Sequence, residues 1–176
     1  MNPVAEGLSG EGSSLASRLV ATLEAQQLSL VLAESLTGGS LSSAIVSVPG
    51  ASKVLLGCIV AYDSQLKQAL LSVSSASLKD FGAASAEVAG EMARGARALA
   101  AQSSSTPQTS VVAVSTTGVA GPDIQDGVPV GKVYIAIDGP KLEQEVLEFD
   151  FDGDRQSIRE QTVDAALKAV LNRLSH

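Results

Sequence analysis

Across 176 residues, 12 lysines and arginines stand against 19 aspartates and glutamates, a net charge of −7 that excludes a broad basic surface for nucleic acid or anionic membrane. Aromatic residues make up only 3%, which excludes base recognition on stacked aromatic platforms, while 45% hydrophobic residues suffice for one globular core. One cysteine, Cys58, and one histidine, His176, exclude a disulfide framework, a Cys/His zinc site and a histidine-based triad, so a nucleophile would need another base, for which lysine is the candidate.

In chain order, residues 1–13 are Gly/Ser-rich and read as a flexible lead-in, with acidic Glu6 and Glu11 and no apolar core to suggest a secretory signal. Residues 14–176 read as a single domain, and the cytoplasm is the expected compartment. Leu15, Leu19 and Leu23 recur at helical spacing, which predicts an amphipathic helix over 14–26. The apolar run 28–32 predicts a buried strand. Residues 40–46 predict a helix, stopped at Val48-Pro49-Gly50. A second buried strand is expected over 54–62; its apolar run falls far short of the ~20 residues that span a bilayer. Asp63 or Ser64 is placed to cap a short helix carrying Lys67, and 72–81 reads as a serine-rich connection with one helical turn. Ser85 caps a long helix with Val88, Met92, Ala96 and Leu99 on one face and Glu91, Arg94 and Arg97 on a solvated opposite face.

After a loop over 102–109, residues 110–114 predict a strand that runs into the hydroxyl- and glycine-rich 115–122, then a turn-rich loop over 123–129. Residues 130–138 and 142–151 alternate in polarity around Gly139-Pro140 and predict an antiparallel hairpin. Asp154 caps a last helix from Arg155 to about Leu174. The order predicts an α/β fold, a three-layer α/β/α sandwich whose mixed sheet of about five strands has an antiparallel edge hairpin.

The stretch Ala33-Glu34-Ser35-Leu36-Thr37-Gly38-Gly39 joins the first strand to the following helix. It sets Ser35 at a strand's carboxyl end, where open α/β sheets bind ligands. It is also expected to aim the N–H groups of Thr37, Gly38 and Gly39 outward at the positive end of a helix dipole. A simply capped helix start fits the same residues. If the early strands are parallel, Ser35, Tyr62 with Lys67, and Thr117 with Gly118 and Gly121 converge on one rim. A serine hydroxyl is a weak nucleophile until a base takes its proton, and a buried lysine without a carboxylate partner can be that base. Tyr62 would relay a proton or orient the lysine. An exposed helix lysine and a strand-end tyrosine fit the same spacing, and Gly118-x-x-Gly121 matches neither a P-loop nor a dinucleotide fingerprint. Arg155 stands at a helix start, where the dipole disfavours a cation; a ligand anion or a surface partner such as Asp152 explains it. Spacing alone leaves these alternatives open.

Taken together, the Ala33–Gly39 stretch, Val48-Pro49-Gly50-Ala51-Ser52, Val60-Ala61-Tyr62 with Lys67, Thr117-Gly118-Val119-Ala120-Gly121-Pro122, Pro129-Val130-Gly131-Lys132-Val133-Tyr134, and Gly153-Asp154-Arg155 with Ile158-Arg159 resemble the CinA C-terminal family. These are the nicotinamide-nucleotide amidases, or NMN deamidases, and the matches run in order from about Leu15 to Leu174. The resemblance implies hydrolysis of nicotinamide mononucleotide to nicotinic acid mononucleotide and ammonia, within pyridine nucleotide recycling, with no metal and no organic cofactor. It implies Ser35 as nucleophile, Lys67 as its base and Tyr62 assisting, with Thr117 and Arg155 lining the substrate site. It also favours a homodimer. The family name derives from competence and DNA-damage responses, so the alternative is a non-catalytic nucleotide-binding or regulatory module. Two departures stand out. Asp123-Ile124-Gln125 replaces a glycine pair common after the Gly-Pro, and the N-terminal domain of many members, related to molybdopterin-binding proteins, is not among these 176 residues, so a stand-alone form is the expectation.

Overall fold

Side-chain alternation along three neighbouring strands sorts the interior into two layers. The computed structural model describes residues 10–103, 105–140 and 142–175. Strand β1 (Ser29–Glu34) lies between β2 (Leu55–Val60) and β3 (Val111–Gly118) and runs parallel to both. β3 continues antiparallel into β4 (Lys132–Gly139) and β5 (Leu142–Asp150), giving the order β2-β1-β3-β4-β5. Leu30 and Leu32 of β1, with Val112 and Val114 of β3, pack on one face beneath α1 (Gly10–Ala25), α2 (Ser40–Val46) and α6 (Arg155–Leu174). The intervening Val31, Ala33, Val111 and Ala113 face the opposite layer, built by α3 (Ser64–Leu71) and α5 (Ala86–Ser103). This is the expected three-layer α/β/α sandwich. Truncating a fully buried contributor such as Leu19, Leu23 or Ile158 to alanine would cost about 2–5 kcal/mol.

Four elements differ from the sequence expectation. α1 begins at Gly10, ahead of the predicted start at Ser14; residues 1–9 of the expected lead-in and His176 lie outside the described residues. β2 is an edge strand rather than a buried one, with Leu56 38% and Val60 43% exposed. A short apolar run looks alike in a central or an edge strand, and only sheet order separates them. The connection over 72–81 contains a full helix, α4 (Ser75–Phe81), because Ser74 Oγ accepts the Ser77 N–H as a cap. β3 extends through Ser115, Thr116 and Thr117, all buried, because each hydroxyl finds an oxygen partner: Ala89 O, Thr37 Oγ1 and Ala83 O respectively.

The charged face expected on α5 is not merely solvated. Glu91 accepts the Ser74 N–H and the Ser77 hydroxyl, and Arg97 pairs with Asp138 at 3.3 Å. Because β1, β2 and β3 are parallel, their carboxyl ends, carrying Ser35, Tyr62 and Thr117, open on the same rim. No helix among the described residues is long and apolar enough to cross a membrane.

Candidate active site

The site grows from the end of β1. The Ser35 N–H donates to Thr116 O at 2.9 Å, extending the parallel ladder by one residue before the chain turns. Gly38 donates to Ser35 O, and both Gly38 (φ 59°) and Gly39 (φ 96°) adopt the left-handed conformation that an L side chain resists. α2 therefore starts directly behind a serine that remains 8% exposed.

Lys67 reaches the same point from α3, which Asp63 caps by accepting the Gln65 N–H at 2.7 Å. The side chain is 1% exposed, and its Nζ lies 3.0 Å from Ser35 Oγ, 2.8 Å from Ala61 O and 3.1 Å from Tyr62 O. It forms no ion pair among the described residues. Burial lowers its pKa from 10.5 to about 8, with Asp63 pulling weakly the other way. The three contacts suit both protonation states. The ammonium donates to all three oxygens. The neutral amine spends its two N–H groups on the carbonyls and turns its lone pair to the Ser35 hydroxyl, which then donates.

Ser35 and Lys67 line an open cleft. Thr117, Gly118 and Gly121 line it as well, so the three strand ends converge as expected. Thr117 is held by donating to Ala83 O at 2.7 Å. Arg155 closes the mouth, donating from Nη1 to Gly121 O at 2.7 Å and from Nη2 to the Tyr62 hydroxyl at 2.8 Å. It forms no ion pair among the described residues, Asp152 included. The Tyr62 ring is 59% exposed, so this residue meets Lys67 through its carbonyl and meets Arg155 through its hydroxyl. Asp123 and Gln125 also border the cleft. Their loop is closed by mutual backbone bonds between Gln125 and Val128 across Asp126-Gly127, both at positive φ.

Thr37, Gly38 and Gly39 do not line the cleft, and the expectation that their N–H groups present an anion site to a ligand is corrected for the two glycines. Gly38 N–H is spent on Ser35 O, and Gly39 N–H donates to Glu34 Oε2 at 2.8 Å. The Glu34 carboxylate also accepts from Leu41 and Ser42, so the start of α2 is occupied by the protein's own anion. Thr37 is wholly buried, with its hydroxyl 2.8 Å from that of Thr116. The N–H groups of Leu36 and Thr37 have no partner among the described residues, and of the two residues only Leu36 lines the cleft. Glu34 was legible from parity, since Leu30, Leu32 and Glu34 share one buried face. Arg159, whose guanidinium bonds the carbonyls of Leu36 and Thr37, was legible as Arg155 plus one helical turn.

Residues 12–174 match the family model described as the CinA C-terminal domain. A CinA-like protein of Prochlorococcus marinus is 43% identical over 150 residues, covering 80% of this chain and 33% of that protein. Among solved structures, the competence/damage inducible protein CihA from Agrobacterium tumefaciens superposes with a TM-score of 0.86 at 30% identity, covering 98% of this chain and 100% of that one. A CinA superfamily protein from Escherichia coli gives 0.83 at 32% identity, covering 97% and 98%. The chain spans about a third of the length of the curated relatives it matches.

Proposed function

This chain belongs to the CinA C-terminal domain family, and from that premise we propose that it is an amidohydrolase converting nicotinamide mononucleotide to nicotinic acid mononucleotide and ammonia. The observation that carries the reading is the contact of 3.0 Å between Ser35 Oγ and a buried Lys67 with no ion-pair partner among the described residues, at the floor of a cleft.

In this mechanism neutral Lys67 takes the Ser35 proton as Oγ bonds to the carboxamide carbon. The carbonyl becomes an oxyanion that the Leu36 N–H, a free donor on a cleft-lining residue beside the nucleophile, can stabilise. The C–N bond then breaks, and the ammonium form of Lys67 returns its proton so that ammonia leaves. A water molecule, deprotonated by the same amine, attacks the acyl ester, releasing the carboxylic acid and regenerating Ser35. Arg155 supplies a permanent cation at the mouth for the substrate phosphate, and its bond to Tyr62 fixes where that cation stands.

The test is ammonia release from nicotinamide mononucleotide by the purified chain, alongside Ser35→Ala and a chelator control. Chelator-resistant turnover that disappears in Ser35→Ala, with an unchanged melting temperature, is the expected result. Substantial turnover by the variant would remove Ser35 from the nucleophile role. Nucleotide binding without ammonia release would favour the regulatory-module reading.

A further inference from the structure

Two oppositely charged side chains grip the Ser35 turn without lining the cleft. From inside, Glu34 is fully buried and its carboxylate accepts the N–H groups of Gly39 at 2.8 Å, Leu41 at 3.2 Å and Ser42 at 2.7 Å, with the Cys58 thiol at 3.3 Å. From the α6 side, Arg159 donates through Nε to Leu36 O at 3.0 Å and through Nη2 to Thr37 O at 2.8 Å and Ser40 Oγ at 2.9 Å. The acid takes the turn's N–H side and the base takes its carbonyl side. Between them lie Gly38 and Gly39, which have no side chains to lock the backbone by packing.

Resting on the reading of Ser35 as nucleophile, we infer that Glu34 and Arg159 are positioning residues, an opposed pair that holds the Ser35 turn in register with Lys67. The pair acts through backbone groups alone. Glu34 stops the turn from rotating its N–H groups toward the cleft. Arg159 fixes the Leu36 and Thr37 peptides, and with them the direction of the Leu36 N–H. A planar guanidinium reaches three acceptors at fixed angles; a lysine ammonium, a point charge on a flexible stem, does not.

The experiment measures three things for Arg159→Ala, Arg159→Lys and Glu34→Gln in the whole chain: melting temperature, kcat and KM for ammonia release, and the rate of Ser35 modification by a fluorophosphonate. The last reads the nucleophile independently of any substrate. Well below the melting temperature, labelling and kcat should fall on the order of 10²-fold, the usual effect of misplacing a reacting group by about 1 Å, with KM little changed. Added ethylguanidinium should restore labelling of Arg159→Ala by at least about tenfold, whereas a merely structural arginine would show no such rescue. Wild-type labelling rates in folded Arg159→Ala, or a loss that only tracks the unfolded fraction, would overturn the inference. Arg159-dependent labelling in a protein that releases no ammonia from nicotinamide mononucleotide would support the inference and refute the proposed substrate.

Discussion

The most direct consequence of the site is a pH profile set by Lys67. Its pKa, lowered to about 8 by burial, means that the neutral amine makes up about 9% at pH 7, half at pH 8 and about 90% at pH 9. If that amine is the base, kcat should rise about tenfold between pH 7 and pH 9 and then level off. The window must start at pH 7, because a phosphate monoester has its own second ionisation near 6. Unfolding does not produce this slope between pH 7 and 8, and the melt at each pH separates its contribution above pH 8. A lysine whose folded pKa lies below its ordinary 10.5 adds stability as pH rises from about 8 to 10.5, and below 8 both states hold the proton, so its contribution is constant. The assay is continuous ammonia release at fixed ionic strength with saturating substrate, beside a thermal melt at each pH. Lys67→Arg should be inactive throughout, since arginine stays protonated. A flat profile from pH 7 to 9, or one surviving in Lys67→Arg, would refute Lys67 as the base.

Two further outcomes test the surroundings of the pair. Cys58 has its thiol pushed up to about 12, chiefly by burial and then by the Glu34 carboxylate beside it, leaving roughly 10⁻⁴ as thiolate at pH 8. Iodoacetamide should therefore modify the native protein about 10³-fold more slowly than the urea-unfolded chain, and equal rates would show that neither the burial of Cys58 nor its contact with Glu34 persists. Gly95 lies where α5 crosses the end of α3, and a Cβ there would overlap the Leu71 carbonyl. Gly95→Ala should cost about 1–3 kcal/mol, seen as a melting temperature several degrees lower, and should depress kcat as α3 shifts Lys67; an unchanged melt would remove this contact as a constraint.

The sequence patterns that proved legible are those with a local physical cause. Helix caps at Asp63, Ser85 and Asp154 follow from short polar side chains facing free N–H groups, and each accepts such a bond. The convergence of Ser35, Lys67 and Thr117 on one cleft was legible because parallel strands expose their carboxyl ends together, whereas Arg155 was assigned there only by the family resemblance. What stayed hidden depended on partners distant in sequence. The edge position of β2 is a property of sheet order. The fate of the Gly39 N–H turned on a carboxylate whose own side chain had to be folded beneath α2 before it competed with any ligand. The direction of the Tyr62 hydroxyl was set by Arg155, ninety-three residues on.

That internal competition explains how the cleft distributes charge. A helix N-terminus attracts anions, yet the one nearest Ser35 already holds the Glu34 carboxylate, so an external anion gains little by binding there. The two cations of the cleft both stand in the first turn of a helix, Lys67 in α3 and Arg155 in α6, where the dipole disfavours positive charge. They answer that field differently. Lysine can lose a proton, which its burial promotes. Arginine stays charged across the working pH range, so it relieves the field only by gaining an anion. One cleft thus holds at its floor an amine that burial makes half neutral near pH 8 and at its mouth a permanent cation, a polarity suited to the proposed substrate, whose reactive amide and negative charge lie at opposite ends.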